Sequence, residues 1–247
     1  MEDRVPISPN EEEQIKERFL SIANGKTLDW VEKKSADFMR LMSYYKCAMM
    51  EIETKLNVLS EEYTLAHERN PISSIKARLK TLPSIKKKME RLGVPMRLES
   101  IEEHLSDIAG VRVVCPFIED VYNLANALLA QDDVVLIKKK DYIADPKPNG
   151  YRSLHLIVTI PIFLAHEKRM MRVEIQLRTM AMDFWASLEH QLLYKKNALA
   201  GEEVVSELYQ CAQISAHLDA RMDALRKKVD EEDHKQAQMN GESRRHV

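Results

Sequence analysis

Glycine is scarce in this chain of 247 residues, with six in all. No GxxxxGK[ST] or GxGxxG run occurs, which argues against the glycine-rich phosphate loops of P-loop and dinucleotide-binding domains. Cysteine is scarce too. Cys47, Cys115 and Cys211 stand far apart without metal-ligand spacing, so they read as reduced, buried thiols of a reducing compartment. Charge of one sign is missing: 37 basic residues against 39 acidic ones leave a formal net charge of -2. Binding of bulk polyanions or nucleic acid is therefore not indicated, and any anion site must be local. No apolar run approaches the length of a membrane span, and the acidic start Met1-Glu2-Asp3 is unlike a signal peptide. The expectation is a soluble cytoplasmic protein.

What the chain does have is helical periodicity at both ends and strand patterning between them. A short helical pattern covers about Glu11 to Ala23. A longer one covers about Thr27 to Leu59, where Phe38, Leu41, Met42, Tyr45, Met49, Ile52, Leu56 and Leu59 recur at helical spacing. Asn70-Pro71 breaks the chain. Ile72 to Leu92 reads as helical, divided at Pro83-Ser84 and ended by Gly93. Val111 to Phe117 and Val134 to Lys138 read as strands, with a helix from Glu119 to Ala130 between them. Leu154 to Ile162 is almost wholly apolar, as in a central strand covered on both faces. Met171 to Arg178 alternates, with Val173, Ile175 and Leu177 to one side and Arg172, Glu174, Gln176 and Arg178 to the other. Helix resumes from about Met180 to Lys195, breaks at Gly201 and runs again from about Glu202 to Val229. This order implies an α+β fold, a mixed sheet of about five strands flanked by helices, with long N- and C-terminal helices. The implied parts are a helical extension over 1–69, a core over 70–200, a C-terminal helix over 201–230 and a flexible polar tail over 231–247. In the last helix Leu208, Cys211, Ser215, Leu218, Met222, Leu225 and Val229 step by threes and fours. That seam serves either a contact with the chain's own domain or a helix–helix contact in an oligomer.

Polar residues are unusually dense between Asp141 and Glu189. A core strand has no use for Glu, Gln and two Arg at alternate positions, because buried charge is costly unless solvated or paired. The stretch reads as the wall of a cleft for an anionic ligand. Glu174 sits on that polar face, and Asp107 precedes the first strand. Two carboxylates at neighbouring strand ends suit Mg²⁺, which prefers oxygen ligands, although an Asp at a strand start is also a common cap. Lys76, Arg78, Lys80, Lys86, Lys87, Lys88 and Arg91 face a single acid, Glu90. Helical spacing would spread them over several faces, yet the imbalance favours an anion site using some of them. Ser84 is placed to cap a helix start, where free N–H groups also suit a phosphate. The proline-stiffened loop from Asp145 to His155 offers Lys147, Tyr151, Arg152, Ser153 and His155, with a tight turn at Asn149-Gly150. After Thr179, Trp185 and Glu189 share a helix face, and Trp185 reads as core.

Together these segments resemble the synthetase domain of the bacterial RelA/SpoT homologues, and within them the stand-alone small alarmone synthetases of the RelP type. The residues that carry the resemblance are Arg78-Leu79-Lys80 with Ser84 and Lys88, Asp107 to Arg112, Asp141 to His155, Glu174 to Thr179, and Asp183-Phe184-Trp185 with Glu189-His190. It covers about Asn70 to Lys195. The resemblance implies transfer of pyrophosphate from ATP to the 3′-hydroxyl of GDP or GTP, with Mg²⁺. It implies that Arg78, Lys80, Ser84 and Lys88 face the ATP phosphates and that Arg112 stacks on adenine. It assigns Tyr151 to guanine, Lys147 and His155 to the acceptor phosphates, and Gln176, Asp183 and Glu189 to the acceptor site. Asp107 is implied as a metal ligand, and Glu174 as a second metal contact and the general base.

The expected activity is synthesis without hydrolysis, since no His-Asp hydrolase domain is read. Relatives of the RelQ type use a Phe and a Thr before the Arg-x-Lys motif to bind an activating alarmone, whereas this chain has Ser74 and Lys76. Small synthetases are commonly tetramers, which favours an intermolecular role for the last helix. The alternatives are a toxin that pyrophosphorylates the tRNA 3′ end and a non-catalytic nucleotide- or RNA-binding regulator.

Overall fold

The computed structural model describes residues 25–66, 69–194 and 202–243, so the helical pattern at Glu11 to Ala23 lies outside the described residues. Its elements in chain order are α1 (Gly25–Leu65), β1 (Ser74–Leu79), α2 (Leu82–Leu92), α3 (Leu98–His104), β2 (Ala109–Cys115), α4 (Ile118–Leu129), β3 (Val135–Asp141), β4 (Leu154–Phe163), β5 (Lys168–Thr179), α5 (Met180–Tyr194) and α6 (Glu202–Ser243).

The strongly alternating segment becomes β5, the middle strand of a five-stranded sheet of order β1-β2-β5-β4-β3. β5 pairs parallel with β2 and antiparallel with β4, while β1–β2 and β3–β4 are antiparallel, so the sheet is mixed as expected. Its apolar face carries Val111 and Val113 of β2, Leu154, Leu156 and Val158 of β4, and Val173, Ile175 and Leu177 of β5, all buried. α1 closes that face with Phe38, Leu41, Tyr45, Ala48, Ile52, Leu56 and Leu59. Their steps of three and four keep one stripe of the helix on the sheet. α4 adds Val121, Leu124, Ala125 and Leu128. The helix read from the sequence as an N-terminal extension is thus one layer of the core.

Four expectations are corrected. Ser74 to Leu79 is an edge strand and not helix. Six backbone positions pair with β2, and the basic residues Lys76 and Arg78 alternate with Ile75, Ala77 and Leu79 at period two, which outweighs their helical propensity. Lys76 and Arg78 therefore share one face, and the backbone N–H of Lys80 extends the ladder to Ile108 O at 2.8 Å. Ser84 does not cap α2. The N-cap is Thr81, which makes no side-chain cap bond, and the Ser84 hydroxyl lies 2.9 Å from that of Thr81. Gly93 ends the helix as read, at φ 67°.

The third correction concerns α6. Its backbone stays helical to Ser243, through the segment read as an unstructured tail. Glu231, Glu232, Lys235, Gln236, Ala237 and Gln238 are good helix formers, and extending an existing helix adds one bond per residue fixed. The face of α6 turned to the domain is not the apolar seam. Ala212, Asp219, Asp223 and Arg226 turn inward, while Leu218 (53% exposed), Met222, Leu225 and Val229 (55% exposed) face out. The polar partners decide this rotation. Thr179 Oγ1 donates to Asp219 at 2.6 Å, Arg226 pairs with Glu119 of α4, and Trp185 Nε1 donates to Leu208 O at 2.8 Å. The same rotation leaves Cys211 exposed, against the expectation of buried thiols; Cys115 is buried, Cys47 is half-buried and all three are free.

Candidate functional site

Because directly paired strand residues point to the same side, the register lines up a polar row across the sheet. Lys76 pairs with Arg112, Arg112 with Gln176, Gln176 with His155 and His155 with Lys140. One step along, Arg78 pairs with Gly110 and Gly110 with Glu174. The sequence-predicted residues of four separate strands thus meet on the face opposite α1.

Two carboxylates mark the centre. Asp107 lies between Lys80 (2.7 Å) and Lys88 (2.8 Å), one ammonium on each oxygen. Burial acts to raise its pKa, but the two lysines outweigh burial and hold the carboxyl below the usual range. Glu174 accepts from Gln176 Nε2 at 2.9 Å on one oxygen and lies 3.3 Å from His155 Nδ1 on the other. Burial again pushes upward, and His155 and Gln176 together bring the carboxyl below its ordinary value, against an opposing contribution from the Asp107 charge. Both carboxylates are therefore ionised and within electrostatic reach of each other.

A buried hydrogen-bonded cluster adjoins Glu174. Tyr151 OH lies 2.8 Å from His155 Nε2 and accepts from Arg178 Nη2 at 2.7 Å. Arg178 also donates to Gln176 Oε1 (3.1 Å) and to Asp183 Oδ1 (3.0 Å). Asp183, in the first turn of α5, is shared with Arg112 at 3.3 Å. Burial and the Arg178 charge both lower the pKa of Arg112. Two guanidiniums thus share one carboxylate, so the region carries surplus positive charge.

The loop between β3 and β4 closes the cluster from one side. Lys147 Nζ stands 4.7 Å from the ring centroids of both Tyr142 and Tyr151, a cation–π arrangement. Asn149 Nδ2 donates to Glu189 at 3.2 Å, tying the loop to α5. Gly150 adopts φ 86° and packs on α6, where a Cβ would stand 2.5 Å from that of Ala212. Two loop residues do not reach the cluster. The hydroxyl of buried Ser153 donates to Leu177 O at 3.1 Å, and Arg152 lies against α6 beside Asp219.

Arg78, Lys80, Lys88, Asp107, Arg112, Lys147, Tyr151, His155, Glu174, Gln176, Asp183 and Glu189 all lie on this face or at its rim. Ser84 is exposed in the first turn of α2, with the Thr81 side chain as its partner. Arg172, on the same face of β5, leaves the site to donate to Glu102 O and Glu103 O at 2.9 Å, satisfying the end of α3. Sequence reasoning passed over Arg178 as a site residue. The signal available was its place two residues after Gln176 on the polar face; what could not be read was its near-complete burial, 4% exposed.

The fold and site define a class: a mixed sheet whose open face carries two ionised carboxylates within a ring of cations, suited to polyphosphate ligands. Residues 77–199 match the family described as "Region found in RelA / SpoT proteins". The chain is 43% identical over 203 residues to GTP pyrophosphokinase YwaC of Bacillus subtilis, covering 82% of this chain and 97% of that one. Identity to GTP pyrophosphokinase YjbM of the same organism is 35% over 192 residues, covering 78% and 90%. Small alarmone synthetase 1 of B. subtilis, solved with its product pppGpp, superposes with a TM-score of 0.73 at 35% identity, over 78% of this chain and 98% of that one. Small alarmone synthetase 2 of B. subtilis gives 0.72 at 43% identity, over 78% and 99%. The chain belongs to the RelA/SpoT family, among its small alarmone synthetases.

Gly150→Ala tests the seating of the loop. It forces a side chain into left-handed backbone and into Ala212. A loss of about 1 kcal/mol or more is expected, lowering the thermal midpoint by roughly 2–4 °C. An unchanged melting curve would show that the loop does not rest on α6.

Proposed function

We propose that the chain transfers pyrophosphate from ATP to the 3′-hydroxyl of GDP or GTP, releasing AMP and forming a guanosine 3′-pyrophosphate. The observation that carries this reading is the pair of ionised carboxylates, one gripped by two lysines and the other by His155 and Gln176. The named relatives support it, being GTP pyrophosphokinases aligned over most of the chain.

In this reading Arg78, Lys80 and Lys88 receive the ATP phosphates, with Ser84 at the rim, and Arg112 stacks on adenine. Lys147, Tyr151, His155, Gln176, Asp183 and Glu189 receive the guanine nucleotide. Glu174, kept ionised, takes the proton of the 3′-hydroxyl. The O3′–Pβ bond forms as the bond from Pβ to the α-phosphate oxygen breaks, and AMP leaves with the electron pair. The cations neutralise charge on the transferring group. Lys80 and Lys88 already stand at Asp107, so an arriving triphosphate competes with that carboxylate for them.

Asp107 and Glu174 would hold Mg²⁺. Two carboxylates with the remainder of the coordination left to phosphate and water is the pattern this ion favours, and among the described residues no cluster of three or more metal-ligating side chains offers a dedicated cage. The ion would supply a Lewis acid to the phosphate oxygens.

We also assign the outward seam of α6 to self-association, with a tetramer as the expected state. Leu218, Met222, Leu225 and Val229 are exposed together on one face. Among the described residues no helix is long and apolar enough to cross a membrane; a cytoplasmic location fits this reading.

Incubation with Mg²⁺, ATP and, in separate arms, GDP, GTP, GMP or tRNA is expected to give AMP and a pyrophosphorylated guanine nucleotide. Product on tRNA alone, or ATP and GTP binding without AMP release, overturns the proposal. Glu174→Gln is expected to cut kcat by roughly 10²–10⁴ without changing the fold; near-normal turnover removes the base role. The depressed Glu174 carboxyl predicts activity present above its pKa and lost as pH falls through it. Gln176→Leu removes one of the groups lowering that pKa, so the acid limb of kcat/KM should move to higher pH. Leu218→Glu with Leu225→Glu should reduce the sedimenting species to a smaller oligomer or monomer with an unchanged circular dichroism spectrum. Retention of the full assembly would place the interface elsewhere.

A further inference from the structure

Arg178 breaks the pattern of its strand. Glu174 and Gln176, on the same face, are half-buried, yet Arg178 is 4% exposed. A guanidinium stays charged at any ordinary pH, so its burial demands partners. It has one carboxylate, Asp183, and shares it with Arg112. Its other hydrogen-bond partners are neutral, the hydroxyl of Tyr151 and the amide oxygen of Gln176, and its buried Nε has no hydrogen-bond partner. Charge balance alone does not explain this group, but the direction of its hydrogen bonds does.

We infer that Arg178 is a positioning residue that fixes the polarity of every hydrogen bond leading to Glu174. A guanidinium only donates. Since Arg178 Nη2 donates to Tyr151 OH at 2.7 Å, the single phenolic hydrogen is left for His155 Nε2 at 2.8 Å. In the neutral imidazole that makes Nε2 the acceptor and puts the proton on Nδ1, which faces Glu174 Oε1 at 3.3 Å. The opposite tautomer would aim a ring lone pair at a carboxylate.

A second chain runs in parallel. Arg178 holds the carbonyl end of Gln176 at 3.1 Å, which turns the amide NH₂ to Glu174 Oε2 at 2.9 Å. Both oxygens of Glu174 thus receive donors at the ends of two chains that start on one donor-only group. Neither Tyr151 nor Gln176 could set this direction, because each both donates and accepts. Arg178 touches no reacting atom in this scheme and acts through His155 and Gln176. Its effect on turnover rests on Glu174 being the proton acceptor; its effect on the imidazole does not.

The direct test is the ¹⁵N shift pattern of the His155 ring at a pH where it is neutral, assigned by the signals lost in His155→Gln. The unliganded wild-type protein is expected to show the Nδ1–H tautomer as the major form. Arg178→Lys, still donor-only, should keep it. Arg178→Gln offers the phenol a carbonyl to donate to and should shift the ring toward Nε2–H. Tyr151→Phe removes the phenolic donor and should do the same, which keeps the test available should Arg178→Gln fold poorly. In Arg178→Gln kcat should fall about tenfold or more, with the KM for ATP within about threefold and a partial return of kcat in Arg178→Lys. An Nε2–H major form in the wild type, or an Nδ1–H form retained in both Arg178→Gln and Tyr151→Phe, overturns the inference. A tautomer that shifts as stated while turnover is unchanged supports it and counts instead against Glu174 as the proton acceptor.

Discussion

The pairing of β5 with β2 on one side and β4 on the other is the constraint from which the rest of the site follows. β2 runs parallel to β5 and brings Gly110 and Arg112 beside Glu174 and Gln176. β4 runs antiparallel and brings His155 beside Gln176. A slip of one residue in either pairing would turn the polar set into the core and the apolar set, Val173, Ile175 and Leu177, to solvent. The buried apolar face against α1 therefore fixes the position of the site as firmly as it fixes the fold, and the site needs no glycine-rich loop. Gly110 is the exception that proves useful: it stands between Arg78 and Glu174 in the row and leaves the space there open.

Charge within this frame is arranged by local pairing, since the whole chain is nearly neutral. Three anionic side chains each hold more than one partner. Asp107 has two ammonium groups, Asp183 has two guanidiniums, and Glu174 has an imidazole and an amide. Around Asp107 and Asp183 cations outnumber anions, so a polyphosphate completes the balance. That surplus accounts for a polyanion site in a protein with slightly more acids than bases. Burial is overcome at Asp107 by Lys80 and Lys88, and at Glu174 by His155 and Gln176, so both carboxyls remain ionised.

Much of this was legible in the sequence. The alternation of Met171 to Arg178 gave the central strand and its polar face, and the density of functional groups from Lys147 to His155 gave the loop. The edge strand at Ser74 to Leu79 was not legible as a strand, because lysine and arginine favour helices and the segment runs straight into α2. Its partner β2 is a non-local contact that periodicity cannot supply. The same limit hid Arg178. Its residue type and face were plain, but its burial depends on Tyr151, Gln176 and Asp183 converging from three elements. The rotation of α6 was hidden for a related reason: Asp219 bonds to buried Thr179 and Arg226 pairs with Asp223 and with Glu119 of α4, so the apolar seam that looked ready for the core faces outward.

The loop from Tyr142 to Ser153 connects these layers. It is pinned to the sheet by the Ser153 hydroxyl on Leu177 O, to α5 by Asn149 on Glu189, and to α6 by Gly150 against Ala212. Its aromatic and cationic groups are thereby presented to Glu174 from a fixed base. The central claim, that one face of the sheet brings a pyrophosphate donor and a ribose acceptor together at Glu174, is tested most directly by following the label of [γ-³²P]ATP in the presence of Mg²⁺ and GDP. The label should move, together with the β-phosphorus, onto the guanosine product while unlabelled AMP accumulates in equal amount. Label recovered as inorganic phosphate or on the 5′ chain of the guanine nucleotide, with ADP as the other product, would contradict it.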